Sequence, residues 1–169
     1  MHFCYSILRN NFFPISLIFA LALSRLIPHP PNFTPIISVA ILSSFFFKNI
    51  NLSISVILIS MFISDLLIGF HDYVFFTYIP LVVIAIVFKE KILEYKNILI
   101  YSVTGVIIFY LISNFGVWFL SKNYEENIQG LISCYVAGLP FLKNSLFSTI
   151  FYTYLTFSIF KFSTYNLSS

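Results

Sequence analysis

The chain has 169 residues, 59% of them hydrophobic, 20% aromatic and only 9% charged, with a formal net charge of +3. A soluble domain of this length could not hide so much apolar surface, and so small a charge spread over loops gives no basic face for nucleic acid. What remains is an all-α, polytopic membrane protein, a single integral membrane domain over residues 1–169.

A helix crossing the hydrocarbon core needs about 20 residues, with roughly 17 as the lower bound. The first predicted span is 12–27, behind a short tail carrying Arg9. Ser16, Ala20 and Ser24 recur along it every fourth residue, a small-residue stripe that suits either packing within this chain or docking of a partner helix. Arg9, the apolar run and Ala20-Leu21-Ala22 also fit a signal peptide, a reading weakened by the thin basic region and the multispanning remainder.

Next comes Arg25-Leu26-Ile27-Pro28-His29-Pro30-Pro31-Asn32-Phe33-Thr34-Pro35. Its prolines remove backbone donors and fix φ, so it reads as a stiff connection rather than helix. The second span, 34–47, starts at an N-cap threonine, Thr34, followed by Pro35 at the first helical position. The third, 52–70, carries Asp65 near its far end and is followed by His71 and Asp72. The fourth, 73–88, contains Pro80 as a kink site. A charged loop, Lys89 to Lys96, leads to the fifth span, 97–120. Beyond a loop with Lys122, Glu125 and Glu126, the sequence predicts a short helix or re-entrant segment over 128–139, then a sixth span over 140–160 opened by Pro140.

Six spans put both termini on one side, together with Arg9, Lys48, Lys89, Lys91, Lys96 and Lys161. Lys122 and Lys143 lie opposite, with Arg25 near that end of its helix. The positive-inside rule then places both termini in the cytoplasm of a bacterial inner membrane. Cys4 and Cys134 fall on opposite sides and are not expected to pair.

In that topology the outer half collects Arg25, His29, Asn32, Asp65, His71, Asn114, Trp118 and Asn144, the candidate ligand-binding residues. Ionisable groups at membrane depth face a cavity or each other. Arg25 and Asp65 therefore either pair structurally or meet a charged ligand. Tyr110, Asn114 and Trp118 share one helix face, as do Asn144, Ser148 and Tyr152. Trp118 also suits an interfacial anchor, and Gly130, Cys134 and Gly138 suit a close helix contact. His29 and His71 lack a third partner at metal-ligand spacing. Nucleotide-binding and metalloenzyme motifs are missing from the sequence. No cofactor, metal or enzymatic activity is expected.

The strings Arg25-Leu26-x-Pro28-His29-Pro30-Pro31-Asn32-Phe33-Thr34-Pro35, Ser64-Asp65-x-x-x-Gly69-Phe70-His71, Ser113-Asn114-x-x-x-Trp118 and Gly130-Leu131-x-x-Cys134-Tyr135-x-x-x-x-Pro140-Phe141-x-x-Asn144 carry a resemblance over nearly the whole chain. The chain resembles a family of small, uncharacterised bacterial proteins of transport type. That family is similar to the substrate-binding S components of energy-coupling-factor vitamin transporters. The resemblance implies an S-component-like six-helix fold, a ligand held toward the outer face, and a first helix that meets a membrane scaffold through small residues. Without an ATP-binding motif of its own, the chain would draw energy from that scaffold and its ATPase subunits, or do without it. The expected function is binding and import of a small, nutrient-like solute. Two other readings stay open, a ligand-free assembly subunit and a membrane enzyme.

Overall fold

The computed structural model describes residues 12–91 and 93–166. The expectations that rest on Cys4 and Arg9 lie outside the described residues. Those described residues form six α-helices and no strand: α1 Phe12–Leu26, α2 Ile36–Phe47, α3 Ile50–Ile68, α4 Val74–Val87, α5 Tyr95–Leu120 and α6 Ile128–Asn166. By length and composition, α3 and α5 are apolar and long enough to cross a membrane. With 12 and 14 residues, α2 and α4 fall short of the roughly 20 that a full crossing needs.

The connections follow local chemistry. Between α1 and α2, the Pro30 carbonyl accepts from the Phe33 amide at 2.9 Å. Pro31 and Asn32 occupy the two central positions, and Asn32 has a φ of 62°. Proline followed by a left-handed asparagine is the signature of a type II turn. Only Lys48 and Asn49 separate α2 from α3, and the Asn49 side chain caps α3 by accepting from the amides of Asn51 and Leu52. At the far end of α3, Gly69 takes a φ of 110° and its N–H closes on the Asp65 carbonyl.

The sixth helix corrects the sequence reading. Where a break is predicted at residue 140, α6 runs unbroken for 39 residues. A proline removes one intrahelical hydrogen bond, here the one to the carbonyl of Val136. The helix continues because both flanks of that gap are held from outside. Tyr135 donates to the Leu111 carbonyl on α5 at 2.7 Å, while the Thr149 carbonyl accepts from Ser38 on α2 at 3.0 Å.

Short α2 forms the middle of the bundle, in contact with α3, α4, α5 and α6, while α1 packs on α3. Ile37, Ala40, Ile41, Val56, Ile57, Leu81, Ile84 and Val106 build the core around it. Buried hydroxyls accompany them, including Ser38, Ser43, Ser60, Ser64 and Ser102. Ser43, Ser60 and Ser64 donate to carbonyls three residues back on their own helices, which satisfies the hydroxyl while keeping the contact surface narrow. The outward surface is the reverse: Leu67, Phe75, Phe119, Phe147, Phe151 and Phe162 are all exposed.

Candidate functional site

The site follows from the shortness of α2. It is about 18 Å long against about 39 Å for α5, and Ile37 near its N-terminus packs at Gly105 of α5, which runs on to Leu120. The space above Ile36 and Ile37 is a cavity of about 350 Å³, lined also by Arg25, His29, Asn32, His71, Tyr73 and Thr77. A second lobe of about 300 Å³ lies beside it, lined by Ser113, Asn114, Tyr124, Cys134, Gly138 and Phe141. Asn32, Tyr73, Thr77 and Phe109 line both, so the two lobes adjoin.

Arg25, in the last turn of α1, forms an ion pair with Asp65 of α3, Nη1 to Oδ1 at 2.7 Å. Asp65 is buried to 1% exposure, whereas the Arg25 side chain keeps 19%. The second carboxylate oxygen accepts from the Tyr78 hydroxyl on α4 at 2.6 Å. Nη1 also contacts the Ser64 hydroxyl and the Met61 carbonyl. The arginine is thus tied to α3, and through Asp65 to α4. All its hydrogen bonds to described residues leave from Nη1, so Nε and Nη2 have no protein acceptor there.

His71 follows α3 in the connection to α4, its ring stacked on Tyr73 at 4.2 Å. Its Nδ1 is buried and has no hydrogen-bond partner among the described residues. Burial lowers its pKa below the ordinary value of 6.5; Asp65 and Asp72 oppose that shift and Arg25 adds to it. The imidazole is therefore neutral at physiological pH. His29 Nδ1 donates to the Pro30 carbonyl at 2.8 Å.

In the second lobe, Asn114 donates from Nδ2 to the Tyr110 carbonyl at 2.9 Å. The buried Cys134 sulfur approaches the Asn114 carbonyl at 3.4 Å. Gly138 lies so close to the Asn114 side chain that a Cβ there would collide with it. The glycine and cysteine of the small-residue stripe on α6 accordingly mark a tight α5–α6 contact.

The structure brings together Arg25, His29, Asn32 and His71 in the first lobe, with Asn114 across the shared wall. Three other candidates stand behind the lining. Asp65 is covered by its partners. Trp118 donates its indole N–H to the Glu125 carbonyl at 2.9 Å, and Asn144 donates to the Pro31 carbonyl at 3.0 Å. Asn144, Ser148 and Tyr152 together seat the proline turn: Ser148 reaches the Asn32 carbonyl at 3.4 Å, and Tyr152 lies against Phe33 with ring centroids 6.1 Å apart. Sequence reasoning missed Tyr78, Tyr73, Thr77 and Phe109. Tyr78 precedes Pro80 by two residues in an apolar helix, and nothing in its spacing announces a carboxylate partner on α3.

Fold and site together define a protein whose described residues are helical, with two helices both long and apolar enough to cross a membrane and a cavity of mixed polar and apolar lining at one end of the bundle. Within that class, the chain belongs to a family of unknown function (DUF6580), whose model matches residues 6–169. No curated protein and no solved structure matches it.

Proposed function

We propose that this is a multi-pass protein of the bacterial inner membrane, with both termini cytoplasmic, that binds a small solute in the two-lobed cavity and serves its import. The carrying observation is convergence. Polar residues from three helix ends and the proline turn line one cavity above the shortest helix, and at 300–350 Å³ each lobe suits a small molecule. The apolar outer surface and buried hydroxyls support a lipid setting, as does the resemblance to S components. On α1, Ser16 and Ala20 are exposed while Leu21 and Ala22 are buried. That arrangement supports a scaffold helix docking on the outer face of α1, through which coupled ATPase subunits would act.

The mutual pairing of Arg25, Asp65 and Tyr78 favours a second reading, a ligand-free assembly subunit whose polar groups serve one another. Native mass spectrometry of detergent-purified protein separates the two. A solute of reproducible mass, released only on unfolding, is the expected result. Its repeated absence from folded protein would leave the assembly subunit ahead.

A further inference from the structure

The cavity has a chemical polarity that narrows its occupant, an inference resting on the solute-binding reading above. Among the described residues, no aspartate or glutamate lines either lobe, and Arg25 is the one lining residue with a permanent charge. A cationic solute would meet no counter-charge there. Asp65 does not supply one, because it lies behind Arg25, buried, with its oxygens taken by Arg25 and Tyr78.

Arg25 itself is half committed. A guanidinium presents two forked edges, and Asp65, Ser64 and Met61 all gather on Nη1. The side-on edge, Nε with Nη2, has no acceptor among the described residues, on a side chain that lines the cavity and retains 19% exposure. That edge matches the spacing of two carboxylate oxygens. Because Asp65, Ser64 and the Met61 carbonyl together hold Nη1, the side chain is placed in advance and less ordering remains for binding. His71, neutral, lines the same lobe and brings no charge to it. The first turn of α2, at Ile36 and Ile37 on the floor, adds the positive end of its peptide dipoles. The second lobe is different in kind, with Asn114, Ser113, Tyr124 and Phe141 offering amide, hydroxyl and apolar surface without charge.

We propose that the solute is a small organic monocarboxylate, its carboxylate paired with the Nε/Nη2 edge of Arg25 and its uncharged body lying toward Asn114 in the second lobe. The pairing places two carboxylates on one guanidinium, one per edge, and the residual exposure of Arg25 keeps the second of them hydrated on its open side.

Matched acids and amides test this, since each pair differs in charge and hardly in shape. Thermal unfolding of the purified protein is followed with benzoate against benzamide and with hexanoate against hexanamide. The acids are expected to raise the midpoint with half-saturation about tenfold or more below that of the amides, the margin of a bidentate charged contact. Arg25→Lys keeps a cation beside Asp65 but loses the planar fork, so it should abolish that preference. If Arg25→Lys does not fold, the Arg25→Leu/Asp65→Leu double variant takes its place, with the same loss expected. Amides that match the acids, or an acid preference surviving both variants, would overturn the inference. So would silence from all four probes. In each of those cases a solute of reproducible mass in the native spectra leaves the solute-binding reading standing, whereas empty spectra remove both.

Discussion

At the scale of single residues, the Arg25–Asp65 pair shows how far a sequence goes. Two opposite charges near the same end of two apolar helices need each other or a ligand, and the structure pairs them at 2.7 Å. Their third partner, Tyr78, was not legible, because a tyrosine in an apolar helix announces nothing until the helices pack. The free edge of Arg25 was equally hidden, since which nitrogen faces the partner is a matter of geometry. Burial sets the energetics. Asp65→Leu alone strands the arginine, at a cost of about 3–5 kcal/mol, while Tyr78→Phe removes one bond to a charged group, about 1.5–3 kcal/mol. The double substitution Arg25→Leu/Asp65→Leu strands no charge and leaves only the Tyr78 hydroxyl without its acceptor, so it should lose about as much as Tyr78→Phe and less than Asp65→Leu. Thermal midpoints of the four proteins in one detergent check the order, and a double variant no more stable than Asp65→Leu would refute the pairwise account.

At the scale of elements, the helix pattern was largely legible and the punctuation less so. Proline and glycine mark the turn at residues 30–33 and the end of α3, but Pro140 proved a poor guide, because packing on both flanks outweighs one missing hydrogen bond. Position along one helix decides what a methyl group does. Pro140→Ala returns a donor to the Val136 carbonyl at an exposed site and should be neutral or stabilising by up to about 1 kcal/mol. Two residues earlier, Gly138→Ala drives a Cβ into Asn114. It should destabilise by about 1–3 kcal/mol and disturb the second lobe as well. Paired unfolding curves test the contrast, and equal effects would mean that α5 and α6 are looser than described.

At the scale of the whole molecule, the distribution of basic residues bears on orientation. Lys89, Lys91, Lys96 and Lys161 belong to the end opposite the cavity, so in the proposed multi-pass topology the positive-inside rule would set the cavity toward the outside. A cysteine at exposed Glu94 should react with an impermeant maleimide only from the cytoplasm, and one at exposed Glu125 only from outside. Reversed labelling would turn the cavity inward and make export the better reading. Depth was the least legible property of all. That the central helix has only 12 residues, and so leaves a cavity above it, emerges only when its neighbours are seen to overtop it.

The unbroken α6 has a mechanical corollary. Gly138 forms part of the second lobe, Asn144 holds the proline turn, and Lys161 lies over the Tyr95 ring at 4.8 Å in a cleft at the far end. From Gly138 to Lys161 is about 35 Å of continuous helix. A hinge at Pro140 would let the upper wall swing alone. A stiff lever cannot do that, and a lean of about 5° at one end displaces the other by about 3 Å. On the proposed solute-binding reading, closing the wall over an occupant would therefore shift the Lys161 cleft at the opposite end of the bundle.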